Sequence, residues 1–339
     1  MKHALIVSAV CILLGLAIAF VGMIMLGFDF AKLYTTKFET ETVYITEPFR
    51  SVAITTQEHD IRFALSEDDR CKIVYTVAEN MYCKTEIKNQ TLYVTRTDVR
   101  HWYERIGIHY GDFTLTVYLP EAAYEDFDAR SASGNIDIPI GDLSEGAYLS
   151  TESGDIRFTG DVGIVAKSIS GNIALCGSGK FVGERSSISA STTSGDITVH
   201  GMHVWRSACT SVSGDVLLEN CTNEHLTVKN TSGNAEVKNS AIDSLTVTTT
   251  SGDTLLTEVV TNKNTTVGTA SGNVRLDRAD LSAVKIKTIS GDVKGTLTKA
   301  MEFYSETVSG NIRFPASDIA GGYCKVITTS GDVNISIAE

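Results

Sequence analysis

The sequence predicts an all-β protein, a parallel β-solenoid (β-helix) behind an N-terminal transmembrane helix. Three observations predict it: an uncharged run at residues 4–28, a Ser-Gly-Asp or Ser-Gly-Asn triplet that occurs eleven times, and a period-two alternation of apolar side chains around each triplet. The 339 residues carry a formal net charge of −12. That balance argues against nucleic acid as a partner, since such binding needs a Lys/Arg surface. With 8% aromatic and 21% charged residues, a packed core is expected rather than global disorder.

Residues 4–28 read ALIVSAVCILLGLAIAFVGMIMLGF. About 20 apolar residues cross a bilayer as a helix, so this run reads as a single-pass anchor. A cleaved signal peptide is the rival, because Ala17-Ile18-Ala19 has the small-x-small form of a cleavage site. The run continues to Phe28, however, well past the usual length of a signal core. Lys2 on one side and Lys32 and Lys37 on the other scarcely discriminate orientation. With one spanning segment, residues 1–3 are expected in the cytosol and the bulk of the chain outside it, at the cell membrane. Residues 29–40 read as a linker.

Residues 41–127 lack the triplet but alternate clearly, with candidate strands at Val43–Ile45, Ser51–Thr55, Ile61–Ala64, Lys72–Val77, Cys83–Lys88, Thr91–Thr95 and Phe113–Tyr118. Asn89-Gln90 is a hairpin signal. An open coil end exposes unpaired backbone, so this β-rich region is expected to cap the solenoid. It also holds the densest aromatic and basic cluster, around His101, Trp102, Tyr103 and Arg105. Aromatic and Arg side chains dominate binding hot spots, which makes these four the candidate ligand site; the alternative is a loop folded over the cap. A smaller cluster, His200, His203 and Trp205, reads as structural.

The repeat fills residues 128–339. Successive triplet serines lie mostly 19 or 20 residues apart, and a fixed period of this size signals a solenoid. Three residues after each serine the side chain is Ile or Val in nine of eleven repeats, the β-branched choice of strands. Each repeat is thus strand, corner, strand. The corner residues are Asn135, Asp155, Asn172, Asp196, Asp215, Asn234, Asp253, Asn273, Asp292, Asn311 and Asp332. Glycine there is expected to supply a positive φ, and the Asx side chain a local bond to backbone. If one repeat makes one coil, these residues stack at ~4.8 Å, and adjacent carboxylates repel. In sequence order only Asp196 and Asp215 are neighbouring aspartates, which favours one repeat per coil. Two residues before each serine lies a Ser or Thr, or Asn230, expected to form a stacked structural column. Calcium is the rival use for the aspartates; one Asx per corner falls short of the six to eight oxygens it takes.

Ser-Gly-Asp/Asn repeats on strands, behind a membrane segment and a β-rich part, resemble the bacterial "putative adhesin" β-strand-repeat family of unknown function, over residues 41–339. The resemblance implies an adhesin or cell-envelope role and attributes no catalytic residues. A non-enzymatic surface protein is therefore expected, without cofactor or metal, and with a glycan or an envelope or membrane protein as its partner. The alternatives are an envelope-stress sensor or scaffold and, as the enzyme reading, a polysaccharide-acting β-helix. The six cysteines outside the membrane run show no C-x-x-C, hence no zinc or thioredoxin signal. Cys71 and Cys83 could pair, or serve as small core residues.

Overall fold

The computed structural model describes residues 2–25, 38–78, 81–98, 113–139 and 143–338. Helix α1 spans Lys2–Met25, 24 residues. Among the described residues no helix is long and apolar enough to cross a membrane; the described side chains of α1 are Ser8 and those of 10–25, and Leu13, Ile18 and Ile24 among them are exposed. The rest is β-structure apart from a 3-10 turn at Ile319–Gly321.

Two sheets, of fifteen and fourteen strands, form the solenoid. In a typical repeat a strand of the second sheet, such as His203–Ser211, leads through the Ser-Gly-Asx corner into a strand of the first, such as Val216–Glu219. A second corner follows at a left-handed residue: Gly201, Asn220, Asn239, Glu258 and Arg278 have φ of 64°, 55°, 47°, 52° and 49°. Parallel registers place Ile136, Ile156, Ile173, Ile197 and Val216 in one interior column. The facing sheet stacks Leu149, Ala166, Ala190, Cys209 and Val228. All ten are buried, so the period-two pattern becomes a continuous core at one repeat per coil.

Coil order departs from chain order at both ends. Cys324, Val326, Val333 and Ile335 belong to the last coil, Tyr323–Ser330 with Val333–Ile337, yet it lies between the coil of Ala283–Thr288 and that of Glu302–Ser309. Likewise the strands Ser51–Thr55 and Asp60–Leu65 sit inside those of Thr91–Asp98 and Thr114–Leu119. Cys324, Val326, Val333 and Ile335 are buried, whereas the outer coil turns Ser305 and Thr307 toward the core. At the other end Thr56 lies inside and Arg96 outside. Val326 and Ser305 share one column, and the inner place covers the larger apolar side chain on both sides.

Antiparallel strands Phe38–Ile45, Cys71–Ala78 and Met81–Lys88 lie at the N-terminal end. Asn89 and Gln90, at φ 51° and 63°, turn the hairpin between Met81–Lys88 and Thr91–Asp98. Cys71 and Cys83 are free thiols in the core. Burial pushes both up to about 12, and Cys209 and Cys324 likewise, so they stay protonated packing groups near neutral pH.

Candidate functional site: the corner ladder and its flanking groove

Each corner combines three stacked devices. The Asx Oδ1 accepts the main-chain N–H of the Asx in the next coil. Asp155 donates to Asn135 at 2.8 Å, Asn172 to Asp155 at 2.8 Å, Asp196 to Asn172 at 2.9 Å and Asp215 to Asp196 at 2.8 Å. The ladder continues through Asn234, Asp253, Asn273 and Asp292 at 2.7–3.1 Å. Asn and Asp are interchangeable here because each has that one oxygen. The hydroxyl column bonds in two directions. Thr151 Oγ1 accepts from Gly154 N at 3.1 Å and donates to Gly134 O, one coil away, at 3.0 Å; Ser168 and Thr192 repeat the pattern.

The glycines have a different reason from the one the sequence suggested. Of the triplet glycines only Gly310 has a positive φ, 147°. The others are required by close approach: a Cβ on Gly214 would lie 1.9 Å from Gly195 O, and one on Gly195 2.0 Å from Gly171 O. The coils stack carbonyl over α-carbon at this corner, and no side chain fits between them.

The coil exchange changes the electrostatics of the ladder. Asp332 donates its N–H to Asp292 at 2.9 Å and Asn311 to Asp332 at 2.8 Å, so Asp292 and Asp332 form a second aspartate neighbour pair beside Asp196 and Asp215. Lys294 Nζ lies 2.6 Å from Asp292 Oδ2. That ammonium, with the Asp332 N–H, holds the Asp292 carboxyl below the usual carboxylate range and offsets the repulsion. Asp196→Asn is expected to keep the ladder bond and relieve the other pair, leaving stability equal or slightly higher. Asp196→Ala is expected to cost roughly 0.5–1 kcal/mol. Urea midpoints of the two variants check this; equal losses in both would discount the ladder bond.

A further corner escaped the sequence reading because it has no Ser-Gly. Asp60 Oδ1 accepts from Asn135 N at 2.7 Å, Thr56 occupies the hydroxyl column, and His59 fills the glycine slot, its carbonyl 1.9 Å from a Cβ on Gly134. The spacing Thr56, Asp60, Ile61, matching Ser131, Asn135, Ile136, was the available signal. His59 is fully buried and its Nε2–H donates to Thr76 O at 2.8 Å. Burial lowers its pKa, and the Arg96 charge lowers it further against the Thr76 bond. As pH falls below about 6.5 the unfolded chain takes up a proton that the folded one refuses, so stability drops, by at most ~1.4 kcal/mol per pH unit. His59→Gln is expected to flatten the change in urea midpoint between pH 7.5 and 5.5; an unchanged slope would assign the acid sensitivity elsewhere.

Beside the ladder, the outward side chains of the first sheet line a groove of about 800 Å³. Leu217, Glu236, Leu255, Arg275 and Lys294 form its stripe in register, and Asp215, Asn234, Asp253, Asn273 and Asp292 form its rim. Each rim residue commits Oδ1 to the ladder, leaving the second oxygen of Asp215 and Asp253, and the amide of Asn234, at the exposed edge. Lys238 neutralises Glu236 at 3.0 Å and Lys294 neutralises Asp292. Arg275 is exposed and has no carboxylate partner among the described residues. The groove therefore offers apolar steps, hydrogen-bonding edges and one uncommitted guanidinium along a straight track. Among the described residues no group of three or more His, Cys, Asp or Glu is placed to hold a metal.

The expected ligand residues His101, Trp102, Tyr103 and Arg105 lie outside the described residues. The second cluster divides. His200 faces Glu219 at 3.4 Å on the first sheet, while His203 packs on Phe181 with ring centroids 4.8 Å apart. Trp205 donates to Glu224 at 2.9 Å and stands edge-on to His225 at 5.4 Å, neighbours one coil away that sequence proximity did not suggest.

A model of the Toastrack DUF4097 family matches residues 49–259 and 256–339. Among solved structures, the chain is similar to a "putative adhesin" of Parabacteroides merdae ATCC 43184, at 16% identity over 77% of this chain and 96% of that one, TM-score 0.44. It is also similar to a "putative lipid binding protein" of Parabacteroides distasonis ATCC 8503, at 13% identity over 88% and 97%, TM-score 0.38. A "putative adhesin" of Bacteroides fragilis NCTC 9343 shares 11% identity over 88% and 97%, TM-score 0.33. No curated protein matches the chain.

Proposed function

The chain belongs to the Toastrack DUF4097 family, and from that premise we propose that it is a non-catalytic, membrane-anchored scaffold. Its solenoid presents the groove beside the corner ladder to an extended glycan outside the cytoplasm. The anchor rests on the uncharged run at 4–28, long enough for a bilayer. One observation carries the binding reading: the Asx Oδ1 atoms and the hydroxyl column are occupied in stacking the coils, so ligand contact falls to the second oxygens and amides of the rim and to the unrepeated side chains beside it. A row of rim carboxylates and amides over apolar steps suits a polymer of hydroxylated rings, because hydroxyls both donate to carboxylates and accept from amides.

The test is a glycan array probed with the full chain in nanodiscs, with Arg275→Ala beside the parent. A bound glycan is expected, with about tenfold weaker binding in the variant, the size of one lost charged hydrogen bond, and an unchanged melting curve. Equal binding by Arg275→Ala, together with loss in Trp102→Ala/Arg105→Ala, would move the site to the loop. Turnover of the bound glycan would overturn the non-catalytic reading.

A further inference from the structure

We propose that two copies of this chain join tail to tail, the end strand Glu302–Ser309 pairing antiparallel with its own copy about a two-fold axis at Ser305. The two ends of the solenoid are unlike. Among the described residues the outermost strands at the N-terminal end, Phe38–Ile45 and Met81–Lys88, run antiparallel to their neighbours, whereas Glu302–Ser309 and Ile312–Arg313 at the other end run parallel to theirs; all four are paired on one side only. A strand that pairs with its own copy about a two-fold axis makes a closed, isologous pair rather than a growing stack.

The bare edge is suited to such a pair. Glu302 N–H donates inward to Gly322 O at 2.8 Å; by the two-residue alternation, the N–H and C=O groups of Ser305 and Thr307 and the C=O of Phe303 face the bare side, while Phe303 N–H donates to Ser317 Oγ at 3.5 Å. Centring the axis on Ser305 sets Phe303 against Thr307 of the second copy, for about four main-chain bonds. It also brings the two Ser305 hydroxyls together, and this hydroxyl is buried without a partner in the single chain.

Charge selects the register. With the axis at Ser305, Glu302 faces Val308 and Glu306 faces Tyr304. Moving the axis to Tyr304 opposes Glu302 to Glu306, and moving it to Glu306 opposes that residue to itself, both unfavourable. Pairing also covers the open end of the core, where Phe303 and Phe314 stack at 4.9 Å beside the exposed Ile312.

The consequence rests on the anchored reading: the N-termini of a tail-to-tail pair lie at its far ends, so the pair would bridge two membranes. Mass photometry of the full chain in nanodiscs is expected to show dimers. Ser305→Pro removes an N–H that bonds nothing in the single chain, a tolerated edge position, and is expected to weaken the dimer at least ~tenfold. Tyr304→Glu, which places a carboxylate opposite Glu306, is expected to weaken it, and Tyr304→Lys to strengthen it. Because Tyr304 points outward, this pair of variants decides the matter even if Ser305→Pro fails to fold. A monomer up to about 100 µM, or dimers indifferent to the charge at 304, would overturn the proposal. Liposomes carrying the full chain are expected to cluster, and Tyr304→Glu to disperse them. Dimers that form without clustering liposomes would support the tail contact and overturn the anchored reading instead.

Discussion

Gly214→Ala is expected to destabilise the solenoid by roughly 3 kcal/mol or more, although it adds one methyl group. The added Cβ would sit 1.9 Å from Gly195 O and 2.3 Å from its carbonyl carbon, both backbone atoms that cannot rotate away. Relief requires separating two coils, which stretches the ladder bond from Asp215 N–H to Asp196 and the hydroxyl bond from Ser211 to Gly195 O. Gly268→Ala is the control. It lies at the end of the strand Val260–Gly268 with nothing within 4 Å of its Cβ and no positive φ, so alanine there is expected to be neutral or to stabilise by up to about 1 kcal/mol through the unfolded chain. Urea unfolding of the full chain in detergent compares the two. Similar midpoints would mean that the coils are farther apart at the corner than the structure shows.

Ile197→Asp is expected to disrupt the coil stack. Ile197 is fully buried between Ile173 and Val216 of the adjoining coils, where a carboxylate has neither water nor a cation. An uncompensated buried charge costs several kcal/mol, and in a solenoid the loss falls on the interfaces with both neighbouring coils. Ile197→Val, which keeps the shape and loses one methyl, is expected to cost only about 1 kcal/mol. Limited proteolysis distinguishes them: cleavage near residue 197 in the aspartate variant, against the parent pattern in the valine variant. Retained protease resistance in Ile197→Asp would remove this residue from the core.

Residue by residue, the repeat was legible where its chemistry is local. Alternation at Ile173 and Leu175, or Val216 and Leu218, marks inward-facing strand positions whatever coil lies next to them, and the triplet marks the corner. The Asp/Asn alternation even indicated one repeat per coil, since it reports repulsion between stacked neighbours. Glycine's role was misread because a positive φ is a property of one residue, while the carbonyl that excludes a Cβ from Gly214 belongs to a residue 19 positions earlier. The Thr56–Asp60 corner was missed because His59 stands where glycine is otherwise needed; no triplet corner lies on its outer side among the described residues, so no Cβ is excluded there. The groove was missed because Leu217, Glu236, Leu255 and Arg275, each four residues after a triplet serine and outward-facing, differ in chemistry, and only the stacked coils show that they line one track.

By itself, then, the sequence determined strand positions, corner positions, inward and outward faces and the presence of an uncharged N-terminal run. All of these follow from side-chain type and a short period. Only the tertiary structure decided which coil lies against which. The last coil and the one before it carry the same local pattern, and either order satisfies every strand and corner signal. What separates them is which side chains are covered on both sides: in one column Val326 takes the covered place and Ser305 the end place, so the larger apolar group is the one enclosed. That order places Asp332 on Asp292 and leaves Glu302–Ser309 as the outermost strand of its sheet.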